Sequence, residues 1–229
     1  AQTNYPGVYV DHLFVDQDGT LWGQNFYDGA HRRYRMAFLS YFNPSTDSFE
    51  IVWESQRIPA AQYDTAPPIR PIAYLDNNHT FWVFVHWDGI YSYNTRSMEV
   101  ERQVDISDFG LNGVAHSPDG SFYITSDPFV PTALNKKSVQ EAGIVLYHYI
   151  PGHHKLESVS WPSARWPRFS KMLVDTSGRL WFDAIGWLSP NGQWHLLFPN
   201  PTAYFLRVAF DPGSIRGSPA HVVLESSDG

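Results

Sequence analysis

Apolar residues in this chain come in short runs, each ended by a polar turn. Within the runs they alternate with polar neighbours. Phe49, Ile51 and Trp53 share one face at period two, the signature of a half-buried strand. Strands are predicted in sets of four. The first set covers 8–16, 20–25, 36–42 and 49–53, with the turn Asn43-Pro44-Ser45-Thr46 before its last member. The second covers 72–76, 80–86, 90–93 and 99–104, with Trp87-Asp88-Gly89 as a turn. The third covers 113–116, 121–125, 143–149 and 156–161, turning at Ile150-Pro151-Gly152. The fourth covers 170–175, 179–183, 186–188 and 193–198, turning at Ser189-Pro190-Asn191-Gly192. A fifth set begins at 204–211 and 221–225 and has no third or fourth strand in the sequence.

One phrase sits between the first two strands of each set. It reads Asp16-Gln17-Asp18-Gly19-Thr20-Leu21-Trp22, then Asp76-Asn77-Asn78-His79-Thr80-Phe81-Trp82. It returns as Ser117-Pro118-Asp119-Gly120-Ser121-Phe122-Tyr123 and Asp175-Thr176-Ser177-Gly178-Arg179-Leu180-Trp181, with a looser start at Phe210-Asp211-Pro212-Gly213. Each copy is a tight turn that delivers an aromatic, read as packing between units. Asp-Gly and Asn-Gly pairs supply the positive φ of two-residue hairpins, and Asn43-Pro44 and Ser117-Pro118 restrict turn openings. His79 stands where the other copies carry glycine, and histidine tolerates the left-handed region better than most residues.

Four-stranded units that cannot bury both faces alone stack radially into a β-propeller. The expected fold is therefore all-β, a single propeller domain over 1–229. Its blades run approximately over 8–55, 72–105, 113–161 and 170–199, with an incomplete fifth over 204–229. Four blades and half of a fifth imply a larger or unusually closed ring, completed by further blades or by another chain. Tandem β-sandwiches are the rival architecture, and they would not return one phrase at one place per unit.

Composition narrows the function. The chain has 229 residues, 43% hydrophobic and 16% aromatic, which excludes a disordered chain. Net charge is -7, against the basic footprint that phosphate-backbone binding needs, so nucleic acid is not an expected partner. The basic stretch His31-Arg32-Arg33-Tyr34-Arg35 reads as a charged loop or edge strand. Absence of cysteine excludes disulfides, thiolate metal sites and a cysteine nucleophile. No apolar run approaches the roughly 20 residues of a membrane-spanning helix, so no membrane insertion is expected. The opening Ala1-Gln2-Thr3-Asn4 fits a mature end left by signal cleavage. It predicts a secreted or periplasmic protein.

The phrase resembles the repeats of two-component-regulator propellers, Asp-x-x-Gly-x-Leu-Trp. It does so through Asp16, Gly19, Leu21 and Trp22, and through Asp175, Gly178, Leu180 and Trp181. Asp88-Gly89-Ile90-Tyr91-Ser92-Tyr93 is similar to the Gly-Leu-x-x-Tyr segment that follows in those repeats. More distantly, the chain is similar to gluconolactonase-like and virginiamycin-lyase-like propellers. The resemblance implies a propeller fold and a sensing or binding module. The sialidase Asp-box is not met, because Gly19 falls one place early.

A propeller gathers ligands where the loops between second and third strands, and between successive blades, converge at one channel mouth. Tyr27 and Asp28, His86, Trp87 and Asp88, Asp127 and Phe129, and Asp183 and Trp187 fall there. Aromatic faces beside carboxylates suit sugar rings, and paired carboxylates suit acid–base work. The leading expectation is a binding or sensing module for carbohydrate or a protein surface, without a cofactor. One alternative is a lactonase- or lyase-type enzyme. A lactonase would hold a divalent cation in the channel mouth, with Asn25, Asn112 and Asp183 in roughly suitable places. A lyase would use a histidine base, His86 or His31. A third reading is a structural component of a cell-envelope assembly. The adjacent His153 and His154 read as a surface turn rather than a ligand pair.

Overall fold

A computed structural model describes residues 9–28, 34–55, 58–59, 72–76, 78–107, 110–127, 145–160, 172–182 and 186–196. The expected fifth set, the loop 29–33, Phe129 and Asp183 lie outside them. The described residues hold seventeen strands and no helix.

Strands β1 (Tyr9–Val15), β2 (Leu21–Asp28), β3 (Tyr34–Asn43) and β4 (Ser48–Glu54) form the first antiparallel blade in chain order. β5 (Ile58–Pro59) extends it, pairing with β3 through Arg35 and Ile58. The second blade is β6 (Ile72–Leu75), β7 (Thr80–Val85), β8 (Gly89–Asn94) and β9 (Val100–Asp105). The third is β10 (Gly110–His116), β11 (Phe122–Asp127), β12 (Leu146–Tyr149) and β13 (Leu156–Val159). The fourth is β14 (Met172–Val174), β15 (Leu180–Phe182), β16 (Gly186–Leu188) and β17 (Trp194–Leu196). Four up-and-down sheets in strict chain order are the blades of a β-propeller.

The core lies in the seams between blades. Trp22 and Leu39 of the first blade bury against Phe81, Val83 and Tyr93 of the second. Trp82 and Phe84 of the second bury against Phe122 and Ile124 of the third, and Ala115 and Leu146 of the third against Leu180 and Phe182 of the fourth. The innermost strands touch directly, where the Tyr74 hydroxyl donates to the Val114 carbonyl at 2.7 Å. Trp22 meets Phe81 and Tyr93 at ring distances of 5.4 and 5.8 Å, and Trp82 repeats this on Phe122 and Tyr149 at 5.6 and 5.9 Å. Burying each ring is worth about 1.5–3 kcal/mol, so the expected packing between units holds for Trp22 and Trp82.

The repeated aspartate does more than make a turn. In the first copy Asp16 Oδ1 accepts from the backbone N–H of Asp18 at 3.0 Å and of Thr20 at 2.8 Å. Its Oδ2 accepts from the Trp22 indole N–H at 2.8 Å. Asp76 repeats the set with Asn78, Thr80 and Trp82, and Asp175 with Ser177, Arg179 and Trp181. The third copy carries Ser117 and Tyr123 at these two places, so acceptor and donor have changed together. There Tyr123 stacks on His148 at 4.7 Å, and the Ser121 hydroxyl bridges Asp119 at 2.6 Å and His148 Nε2 at 2.8 Å.

Strand register lays one row of side chains across each blade. The rows read Phe14, Trp22, Tyr41, Glu50; Tyr74, Trp82, Ser92, Glu101; and Ala115, Tyr123, His148, Glu157. The fourth is Leu173, Trp181, Trp187, His195. Three rows end on an outer carboxylate, whereas the fourth ends in Trp187 stacked on His195 at 4.7 Å with planes 7° apart.

Candidate functional site

Up-and-down topology divides the molecule into two faces. One carries every turn between first and second strands and between third and fourth strands. Those turns close on themselves: Gly19, Gly120, Gly178 and Gly192 take positive φ, and each N–H donates back across its turn. The other face carries the connections between second and third strands and between blades. Several of these are long, covering 60–71, 128–144 and 161–171. Long connections on one rim of a rigid scaffold are where binding residues concentrate.

The turn His86-Trp87-Asp88 joins β7 to β8 on that second face. The Asp88 N–H donates to the Val85 carbonyl at 3.1 Å, and the Asp88 carbonyl accepts from Ile106 N–H at 3.0 Å. The Leu111 N–H donates to His86 Nδ1. The turn is thus tied to the chain leaving for the third blade. Trp87 takes the left-handed conformation, φ 56°, and is 5% exposed within the seam to the first blade. The hairpin's positive φ was expected at Asp88-Gly89; it falls on Trp87. Gly89 serves clearance instead. A Cβ there would stand 2.8 Å from Arg102 Nε and 3.0 Å from the Val104 carbonyl.

Asp88 is 3% exposed. Its Oδ1 accepts from the Tyr91 hydroxyl at 2.8 Å and meets Arg102 Nη2 at 3.3 Å. Arg102 also pairs with Asp105 at 3.2 Å. Burial first, and then the Asp88 hydrogen bond, push the Tyr91 hydroxyl well above its ordinary range. Asp88 therefore anchors the turn as a buried carboxylate held by Tyr91 and the partly exposed Arg102, and removing a partner would leave its charge less compensated. His86 is fixed in one tautomer. With Nδ1 accepting from Leu111, the neutral ring carries its proton on Nε2. A proton taken at Nδ1 would break that bond, which argues against His86 as a general base.

The remaining expected site residues are dispersed. Tyr27 and Asp28 end β2, paired with Met36 and Arg35, and Asp127 ends β11, paired with Gly110. All three reach the same face as the His86 turn by topology. Trp187 belongs to the fourth blade's row rather than to a turn, 4.9 Å from Trp181 between ring centres. Phe129, Asp183 and His31 lie outside the described residues, as does the side chain of Asn112. Asn25 is buried in β2, where its amide donates to Ser40 Oγ at 2.6 Å. Among the described residues no group of three His, Cys, Asp or Glu side chains is placed to hold a metal ion. His153 and His154 are exposed in the turn after β12, as expected.

Sequence reasoning missed two features. The Asp-to-Trp hydrogen bond was signalled by constant six-residue spacing and by the joint change in the third copy. The outer carboxylates Glu50, Glu101 and Glu157 had no signal before the register was known.

No protein-family model and no curated protein matches this chain. Solved structures resemble it in fold. One is YCF48 bound to a D1 peptide, at 15% identity and TM-score 0.46, over 80% of this chain and 61% of that one. Another is the extracellular domain of a B. thetaiotaomicron protein described as a one-component system, at 12% identity and TM-score 0.47, over 76% and 20%. A third is oligogalacturonate lyase from Vibrio parahaemolyticus, at 9% identity and TM-score 0.48, over 86% and 62%. The chain thus spans from about a fifth to three fifths of the length of these structures. The likeness is one of overall architecture; the β-propeller fold rests on the four blades described above.

Proposed function

We propose that the protein is an extracellular or periplasmic binding and sensing module. It recognises carbohydrate or a protein surface through the connections on the face that bears the His86-Trp87-Asp88 turn. The contrast between faces carries this reading: one is sealed by short turns that satisfy their own hydrogen bonds, and the other gathers the long connections 60–71, 128–144 and 161–171. Sites carried by loops on a rigid scaffold follow this division. The ends of β2 and β11 bring Asp28 and Asp127 to the same face. Screening the purified chain against glycan and peptide arrays tests the reading. A variant with 128–144 cut to a short turn should then lose the ligand while keeping its far-UV spectrum. Failure to bind either class, or undiminished binding after shortening, refutes it.

A further inference from the structure

The row of the second blade contains an anomaly. Tyr41, His148 and Trp187 fill the third place of the other rows, where the second blade has Ser92. The missing ring leaves a hollow of about 410 Å³, lined by Thr80, Ser92, Asn94, Glu99, Val100 and Glu101. It opens on the outer rim of the short-turn face, remote in topology from the long connections. Period-two alternation sets Thr80, Ser92 and Glu101 toward the third blade, where Gln103 also bonds Tyr149 at 3.4 Å.

The lining is rich in acceptors and has no aromatic ring. Glu101 Oε2 accepts from Gln103 Nε2 at 2.8 Å, which also reaches Ser92 Oγ at 3.0 Å. Glu99 Oε2 accepts from Ser97 Oγ at 3.1 Å. The basic side chains of this blade are engaged elsewhere, Arg96 with Asp18 and Arg102 with Asp88 and Asp105. Among the described residues neither Glu99 nor Glu101 has an ion pair. A sugar would lack an aromatic face to stack on, and a metal would lack a third ligand.

The geometry points to a subsite for the guanidinium of an arginine side chain presented by a protein partner. The fork of five donors matches two carboxylates flanking the Thr80 and Ser92 hydroxyls, better than a point-charge ammonium does; the Asn94 amide oxygen is already taken by the backbone N–H groups of Arg96 and Ser97. The volume lies within the roughly 300–1,000 Å³ of small-group pockets, and a net charge of -7 steers a cationic partner inward. The hollow, rather than the two exposed acids, carries the assignment, because the chain itself shows what fills that place in the other blades.

The test is calorimetric titration at low salt with a blocked Gly-Arg-Gly peptide, its citrulline counterpart and its lysine counterpart. The arginine peptide should bind saturably. The citrulline and lysine peptides should bind at least tenfold more weakly, as should the arginine peptide to Ser92→Tyr, which refills the hollow as Tyr41 does in the first blade. Glu99→Gln with Glu101→Gln should lose binding with the hollow unfilled, and decides the matter if Ser92→Tyr disturbs folding. The variant shortened at 128–144 should keep arginine binding, which separates this site from the one under Proposed function. Absence of saturable binding, equal affinity for citrulline or lysine, or an undiminished response in both sets of variants overturns the assignment.

Discussion

Replacing Asp16 by alanine should cost far more than an ordinary turn substitution. Asp16 is buried beside Trp22, which is 2% exposed. The change removes the acceptor of the indole N–H and of two backbone N–H groups at 2.8–3.0 Å. A hydrogen bond to a charged acceptor is worth about 1.5–3 kcal/mol, and a buried donor left unpaired costs about 1–3 kcal/mol. The exposed Asp18 amide can turn to water; the Trp22 indole cannot without leaving the seam. A loss of about 3 kcal/mol follows. At a urea dependence of about 1–3 kcal/mol per molar, the midpoint falls by roughly 1–3 M. The double variant Asp16→Ser with Trp22→Tyr copies the third blade and should lose less than the sum of its single changes, the mark of coupled groups. Urea unfolding followed by far-UV dichroism measures all five proteins: the unaltered chain, Asp16→Ala and the three variants of the cycle. A loss below about 0.5 kcal/mol for Asp16→Ala, or strict additivity in the cycle, would refute the idea that aspartate and tryptophan act as a pair.

The converse experiment installs the pair in the third blade. Ser117→Asp with Tyr123→Trp should raise stability by about 1 kcal/mol if the indole reaches the carboxylate, read by the same urea titration against the single changes. Gly89→Ala should destabilise by about 1–3 kcal/mol, an overpacking cost, because its methyl would press on Arg102 and the Val104 carbonyl; thermal unfolding checks it. Stability should decline as pH falls below about 6.5. Burial lowers His116 and His148 beneath their ordinary 6.5, so the unfolded chain binds protons first and is favoured. At lower pH the carboxylates add to the decline. Burial raises Asp175, but hydrogen bonds from Trp181 and Arg179 hold it below 3.8, and Asp119 is likewise lowered by Ser121. Their stabilisation is full above 3.8 and disappears as pH passes through the folded values. Urea midpoints from pH 8 to pH 3 should follow this course, and a flat profile between pH 7 and 5 would contradict the histidine contribution.

The four sets of strands were legible because the apolar period and the turn phrase are local. β16 runs over Gly186–Leu188 as expected. His79 takes φ 61° in the place of a glycine, again as expected. β5 was not legible. The outer strand of the first blade ends before Ser55, whose N–H and hydroxyl both bind Ala37, and pairing with β3 resumes at Ile58; the sequence Gln56-Arg57 carries no apolar alternation to announce it. The role of Gly89 was misjudged because clearance from Arg102, across a neighbouring strand, is a tertiary fact. Among the candidate site residues, the sequence could place Asp28, His86 and Asp127 on one face, since strand parity and connectivity fix that much. It could not show that Asp88 is committed to Tyr91 and Arg102, because those contacts depend on the register of β8 with β9.

The bond from Asp to Trp also bears on how these blades form at all. Its span is six residues, so the hairpin can be stapled before any distant strand has arrived, with little loop-closure entropy to overcome. Three blades thus carry a private nucleus, and the third, without one, must rely on its neighbours. Assembly is then expected to proceed by docking of preformed hairpins, with the third blade closing last.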